Sequence, residues 1–424
     1  MSDNKSSSKI CLNCLKDVSS DLKCSQCRTA RYCNRNCQLK HWPVHKNICK
    51  NSNSDDSSTK LAMKADNLSK QGDYVKAGKL YVKLVDTLQN KLGENHHVTT
   101  GARNALALAY SNQGRPREAE QLLKQCLDAR RNELGETHPD TVEVMCNLAS
   151  VYRNMGKMNE AAQMFKQCLD ARRKLLGNSH PDTLSTMYDS ALNFKNQANY
   201  SEAAHLLKQC LDSRKAVLGV DHTETLNTMY YLASTYSNLE QYKDAERLFK
   251  ECQIRRRLLL GENHHETLHA VVGLANTYSS QRGKYSEAEV LYKQCLDKQR
   301  AVLGSGHPST LDTMSRLARN YIFQNQHIEA EVLYKECIDL MKKVLGPSHP
   351  DTHGAIHGLA CSYLVRERYD DAEKLFKISL ERITLLGRNH PDTIATIQGL
   401  VLVYKKLGKI VEIAELMLRV QAEE

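Results

Sequence analysis

The sequence predicts an all-α protein built as a solenoid of helical hairpins, and three observations carry that prediction. A Leu-Gly pair recurs at Leu92-Gly93, Leu134-Gly135, Leu176-Gly177, Leu218-Gly219, Leu260-Gly261, Leu303-Gly304, Leu345-Gly346 and Leu386-Gly387, in steps of 42, 42, 42, 42, 43, 42 and 41 residues. A period held that closely means that every unit stacks on its neighbours in one geometry and that none buries its apolar face alone. Within each period the apolar residues fall into two stripes at helical spacing. Composition agrees: aromatics are 6% of the 424 residues and prolines number 8, while Ala, Leu, Lys, Glu and Gln dominate as they do in helical repeats.

The unit from Gly135 to Leu176 shows how one hairpin is specified. Met145, Leu148, Ala149 and Tyr152 put an apolar stripe on a first helix over roughly residues 141 to 155, which Gly156 ends. Ala161, Met164, Phe165, Cys168, Leu169, Leu175 and Leu176 give a second stripe, on a helix of about 18 residues or about 27 Å. Small residues at Ala149, Ala161 and Cys168 let the helices approach, and Tyr152 and Phe165 fill the space between them. Leu148-Ala149, Tyr152, Ala161 and Phe165 stand at the tetratricopeptide (TPR) spacing. The 42-residue period, the long second helix and the LG-x-x-HPDT connection resemble the repeats of the kinesin light chain family from about residue 60 to 424. That resemblance implies a right-handed TPR superhelix of about nine hairpins.

The connection between units has its own physics. Gly135 can take the left-handed conformation that closes a helix, and Arg130 and Arg131 lie near the carbonyl end of the helix dipole. Pro139 blocks further helix, and Asp140 or Thr141 can accept from the first free amides of the next one. A histidine recurs at His96, His138, His180, His222, His264, His307, His349 and His390. A metal or proton-transfer ladder is one reading; a loop residue that fixes the corner is the one favoured, because a residue present in every copy belongs to the architecture.

The chain in order begins with a polar stretch, residues 1–10, expected to be disordered. Residues 11–49 hold Cys11-x2-Cys14, Cys24-x2-Cys27, Cys33-x3-Cys37 and His45-x3-Cys49. Each pair can turn both ligands onto one metal, and eight ligands make two tetrahedral sites with nothing left over. Spacing alone leaves three ways to combine the pairs. The cluster resembles the MYND zinc finger at every ligand, and the resemblance implies an interleaved set: Cys11, Cys14, Cys33 and Cys37 on one Zn2+, and Cys24, Cys27, His45 and Cys49 on the other. His41 is then a spare. Closed four-ligand sites make the two zinc ions structural, and a module of about 40 residues has too little core to fold without such a staple. Fingers of this family bind proline-containing peptides, and their contacting residues correspond to Gln38 and Trp42. Trp42 suits proline packing; it suits equally a cover for the small zinc core. Residues 50–59 read as a flexible linker, and residues 60–424 as the solenoid. Its first hairpin is degenerate, with Ala65, Leu68, Ala77 and Tyr81 at the repeat positions but Lys64 where other copies carry Leu. The extra residue of the 43-residue step fits the turn SSQRGKYS, and the last hairpin, with Ile413 at the small position, reads as a cap.

Charge and cysteine usage bound the function. The formal charge of +10 falls to about +7 if seven thiolates bind two zinc ions. Basic pairs at Arg130-Arg131, Arg172-Arg173, Arg214-Lys215, Arg255-Arg256 and Lys342-Lys343 read mainly as partners of helix dipoles. No base-stacking aromatics or reader motif accompany them, which argues against nucleic acid. Of the 15 cysteines, seven precede residue 50, six occupy one helix position (Cys126, Cys168, Cys210, Cys252, Cys295, Cys337), and Cys146 and Cys361 are strays. The six read as buried small hydrophobes. No apolar run of 18 residues and no signal sequence marks a membrane or secretion, so the expectation is an intracellular protein, cytoplasmic or else nuclear.

The groove of such a solenoid is lined by first helices. Asn112, Asn154, Asn196 and Asn238 recur there, five residues after the small Ala, where each can hold a peptide backbone or close its helix. Arg153, Lys195, Arg316 and Arg319 add positive charge near the same face, so an acidic extended segment is the expected partner. The reading is a non-enzymatic adaptor whose finger and groove each bind peptide segments. The alternatives are a motor cargo adaptor like kinesin light chain, though no heptad segment occurs in the first 60 residues, and a MYND-containing transcriptional or chromatin co-regulator. Against an enzyme, the chain has no phosphate-binding glycine loop, GxSxG elbow or HExxH motif, and residues 50–60 leave no room for the catalytic domain that methyltransferases with this finger carry.

Overall fold

The structure, a computed structural model, describes residues 22–23, 31–32, 56–381 and 391–422. The chain divides into two compact units, residues 1–144 and 145–424. In the first, strand β1 (Leu22–Lys23) pairs antiparallel with β2 (Arg31–Tyr32), Leu22 opposite Tyr32 and Lys23 opposite Arg31. These strands fall inside the expected finger, where the sequence reading placed none. Helices α1 (Asp56–Lys70), α2 (Tyr74–Leu92), α3 (His97–Asn112) and α4 (Pro116–Leu134) follow, and α5 (Pro139–Asn154) crosses the division. α1 starts inside the expected linker 50–59. Ala65, fully buried against Ala77 and Tyr81, anchors it to the first core. The degenerate hairpin is therefore a packed one.

The second unit holds α6 (Met158–Leu176), α7 (Pro181–Asn196), α8 (Tyr200–Val217), α9 (Thr223–Asn238), α10 (Tyr242–Leu260), α11 (His265–Ser280), α12 (Tyr285–Leu303), α13 (Pro308–Phe323), α14 (His327–Val344), α15 (Pro350–Val365), α16 (Tyr369–Leu380), α17 (Pro391–Leu407) and α18 (Ile410–Ala422). Among the described residues the eighteen helices form nine successive hairpins. The extra residue of the long step lies between α11 and α12, where Gly283 has φ +92°. α18 departs from the polar outer face expected of a cap: its sequence is apolar on several sides, and Ile410, Val411 and Leu418 are exposed.

Each residue of the recurring connection has a task. The glycines that close α2, α4, α6, α10 and α12 have φ between 87° and 94° with ψ between 160° and 168°. That is the extended region open essentially to glycine alone, not the left-handed helical one expected for Gly135. The caps also differ from expectation. His96, His138, His180, His222, His264, His307 and His349 each accept, through Nδ1, the amide N–H two residues on, all at 3.2 Å. The imidazole does the work assigned to Asp140 or Thr141, because an aspartate one residue past proline already lies in the first helical turn. The threonine ties the corner instead: Thr99, Thr225, Thr267, Thr310 and Thr352 donate to the carbonyl of the closing glycine at 2.8–2.9 Å.

The basic pairs do more than face a dipole. Arg130, Arg214 and Arg256 are buried. In the first unit Arg130 reaches Thr100 Oγ1 at 3.1 Å, the His97 carbonyl at 3.2 Å and the Asp140 carboxylate. In the second, Arg214 donates to the Glu224 carbonyl at 3.1 Å and Arg256 to the Glu266 carbonyl at 2.9 Å, each binding the first turn of the next hairpin. Packing continues this stitching. Phe249, Tyr334 and Phe376 occupy the space opened by Gly273, Gly358 and Gly399 on the following first helix. Glu331 on α14 receives Tyr363 at 2.9 Å and Arg366 at 2.6 Å from α15 and its end, besides Lys335 at 2.8 Å. Burial alone would raise its pKa; the hydrogen bonds from Lys335 and Tyr363 and the charges of Lys335 and Arg368 outweigh it and hold the carboxyl at about 2.

Candidate functional site

The first helices of the second unit carry a face that runs into their core stripe, Tyr230 belonging to both, and one-turn spacing aligns its residues. Tyr230, Ser234 and Asn238 lie along α9, His269, Gly273, Asn276 and Ser280 along α11, and Arg316, Arg319 and Phe323 along α13. Together with Lys195 at the end of α7 and Arg282 in the α11–α12 turn, they line a cleft of about 630 Å³. The inserted residue of that turn thus bears on the cleft, since the longer connection carries Arg282 to its wall.

The aromatic part of the lining is interlocked by ring contacts and hydrogen bonds. Tyr230 stacks on His269 with ring centres 4.3 Å apart, and its hydroxyl lies 3.0 Å from His269 Nε2. Tyr230 meets Tyr231 and Phe249 edge-on at 5.3 Å. Tyr292 donates to Asn276 Oδ1 at 2.5 Å, and Phe323 leans on Tyr285 at 5.6 Å. Burial pushes the His269 pKa down, which favours the neutral ring that its Tyr230 partner suits.

Charge is one-sided. Lys195, Arg282, Arg316 and Arg319 line the cleft, and among the described residues no carboxylate does. Arg316 Nε is paired with Asp312, one turn back on α13, at 2.7 Å. The side chains of Lys195, Arg282 and Arg319 have no ion pair or hydrogen bond among the described residues; Lys195 is half-buried, and Arg282 and Arg319 are exposed. Burial, and then the guanidinium of Arg316, push the Lys195 pKa down, so the two cations lie close although their helices belong to hairpins three apart in sequence. Arg153, expected near this face, is instead tied to the next first helix through Asp189, at 3.1 Å to its carbonyl and 3.2 Å to Oδ1.

The four asparagines of the sequence reading are exposed, and each is the last residue of its helix, α3, α5, α7 or α9. Only Asn238 is among the cleft residues; Asn112 belongs to the first unit. None takes the left-handed position that would explain it as a helix stop. That position falls two residues later, at Gly114, Gly156, Ala198 and Glu240. The residues that tie these helix ends to the preceding hairpin were missed. Gln113 donates to the Tyr74 carbonyl at 2.7 Å, and Asn193 and Gln197 to the Met158 carbonyl at 3.0 and 2.9 Å. The sequence signal was a glutamine one residue past the asparagine in NQGR and NQAN.

The recurring cysteines are core residues. Cys126, Cys210, Cys252, Cys295 and Cys337 are buried and their thiols donate to carbonyls of the preceding first helix at 3.3–3.5 Å. Burial pushes four of these thiols up to about 11 and Cys295 to about 12. Among the described residues no group of His, Cys, Asp or Glu is arranged to hold a metal ion, and no helix is long and apolar enough to cross a membrane. The ligands Cys11, Cys14, Cys24, Cys27, Cys33, Cys37, His45 and Cys49 lie outside the described residues, as do His41, Gln38 and Trp42.

Known proteins resemble this chain in two separate parts. Tetratricopeptide repeat sequences match residues 56–132, 101–174, 140–216, 197–253, 224–301 and 281–343, and again 354–392. The MYND finger matches residues 11–49. The histone-lysine N-methyltransferase SMYD3 of Homo sapiens is 49% identical over 41 residues, which are 10% of this chain and 10% of that enzyme. The likeness is confined to the finger region. Among solved structures, a Podosopora anserina protein described as a kinesin light chain of nearly identical TPR-like repeats is 25% identical, covering 48% of this chain and 95% of its own at a TM-score of 0.44. Yeast Tom70 is 17% identical, covering 87% of this chain and 68% of its own at a TM-score of 0.52.

Proposed function

This chain belongs to the tetratricopeptide repeat family, and from that premise we propose that it is a non-enzymatic adaptor whose repeats and finger each take a peptide segment of a partner protein. Both modules imply protein–protein interaction. The observation that carries the finer reading is the cleft of the second unit, which gathers four cations and, among the described residues, no carboxylate. Lys195, half-buried and unpaired, loses part of its hydration without recovering it from protein, and the exposed Arg282 and Arg319 add positive charge beside it. An extended segment with acidic side chains supplies the missing partners, and the exposed amide of Asn238 can bond its backbone. Asn112, Asn154 and Asn196 extend the same use along other hairpins.

The finger completes the adaptor. Two structural zinc ions, held by the interleaved set of Cys11, Cys14, Cys33 and Cys37 and of Cys24, Cys27, His45 and Cys49, leave no open position for substrate. Its surface at Gln38 and Trp42 takes a proline-containing peptide. No catalytic module is matched beside the repeats and the finger, which supports binding over catalysis. The place of action is intracellular, in cytoplasm or nucleus.

Fluorescence anisotropy with a labelled Glu-rich peptide tests the groove. Lys195→Ala with Arg319→Ala removes two charge-assisted contacts, each worth about 1.5–3 kcal/mol, and binding is expected to weaken by well over tenfold. Raising salt past about 0.15 M should weaken it as well, since screening then acts within about 8 Å. Affinity that ignores both the salt and the double substitution would place the peptide elsewhere and refute this reading.

A further inference from the structure

We infer that the cleft of the second unit accepts a dianionic phosphoryl group, carried on the bound protein segment, between Lys195 and the guanidinium groups of Arg316 and Arg319. The inference rests on the acidic-segment reading and names the one group that this cluster of cations fits. Arg316 spends its Nε on Asp312 at 2.7 Å and has no other protein partner. Arg319 follows it on α13, and Lys195 faces the same recess from α7, both unpaired. With Asp312 answering Arg316, two uncompensated positive charges remain at one place.

A glutamate or aspartate brings one negative charge for two unpaired cations, the half-buried Lys195 and the exposed Arg319, beside Tyr230, Tyr231 and Phe323. A phosphate monoester brings about −1.5 to −2 charges at neutral pH and three acceptor oxygens. Those oxygens match the donors present: the free guanidinium edge of Arg316, Arg319, the Lys195 ammonium, and hydroxyls such as Ser234 and Ser279. The like charges favour the same ligand. Lys195 and Arg316 repel, and a dianion between them turns that repulsion into attraction on both sides.

The test uses the full-length chain and one Glu-rich peptide in three forms, with a central serine, phosphoserine or glutamate. The phosphoserine form is expected to bind at least tenfold tighter than the serine form and several-fold tighter than the glutamate form. Arg319→Ala and Lys195→Met should each remove most of that preference while leaving helical circular dichroism unchanged, since neither side chain bonds to the protein. Equal affinity for the phosphoserine and glutamate forms would overturn this inference alone and leave the acidic-segment reading standing. Failure of all three forms to bind would overturn both. Inorganic phosphate that displaces the phosphopeptide at comparable concentration would overturn the claim that the group arrives on a protein segment, and an oligonucleotide that does so would overturn it in favour of nucleic acid.

Discussion

Replacing Gly273 by alanine puts a methyl carbon 2.3 Å from Phe249 Cε1, 2.8 Å from Cζ and 2.9 Å from Cδ1. Phe249 is 1% exposed, so its ring cannot yield without leaving the core between α10 and α11. Forcing such a shift costs about 1–3 kcal/mol. The same substitution gains about 1 kcal/mol, because glycine is the poorer residue inside a helix. The net expectation is a loss of up to about 2 kcal/mol. Gly101 supplies the control. A methyl group there meets only Arg130 Nη2, at 3.9 Å, an ordinary contact, so Gly101→Ala should stabilise by about 0.5–1 kcal/mol. Urea unfolding followed by circular dichroism reads both, as midpoints moving in opposite directions at similar slopes. Phe249 also lines the cleft, so Gly273→Ala should weaken Glu-rich peptide binding while Gly101→Ala does not. A Gly273→Ala protein as stabilised as Gly101→Ala would refute the packing argument, since it would mean the ring makes room at no cost.

Other expectations follow from single features. The purified protein should contain two zinc ions by plasma mass spectrometry; Cys24→Ser should lose one and disorder residues 11–49 with helical signal nearly unchanged, and a single zinc in the unaltered protein would contradict the eight-ligand assignment. Burial pushes the pKa values of His97, His264 and His269 down. The folded state therefore binds fewer protons than the unfolded one, so their contribution is fully present above the unfolded value of about 6.5 and is lost as pH falls below it. Melting temperature should drop between pH 7 and pH 5, and a rise would reverse the assigned protonation of these rings. Glu331→Ala removes a carboxylate, 15% exposed, on which four donors converge; a loss of about 2 kcal/mol is expected, with amide exchange quickening in α14 and α15 first.

How far the sequence was legible differs from feature to feature. The hairpins could be read because Ala149, Ala161 and Phe165 mark a contact that every copy repeats, and all three are fully buried. The corner was located correctly while its chemistry was assigned to the wrong residues. An aspartate or threonine is the commoner cap, and only the geometry shows His138 Nδ1 accepting the Asp140 amide. Arg130 and Arg256 read as dipole partners because a charge at a helix end needs no further explanation. Their burial depends on the next hairpin folding over them, which no local pattern encodes. Lys195 and Arg316 were placed on one face by the repeat pattern, but their approach comes from how four successive hairpins turn against one another. The asparagine row shows the opposite limit: a regular register put four equal residues on a list, and only Asn238 reaches the cleft.

The most direct measurement of the central claim is where a bound segment lies. A Glu-rich peptide carrying a central photoreactive residue, cross-linked to the full-length chain and mapped by mass spectrometry, should label residues on α9, α11 and α13, with Tyr231, Asn238 and Arg319 at the centre, and labelling should fade as salt rises. Cross-links confined to residues 11–49, or scattered over the basic second helices without salt dependence, would contradict the assignment of the cleft as the site that reads an acidic partner.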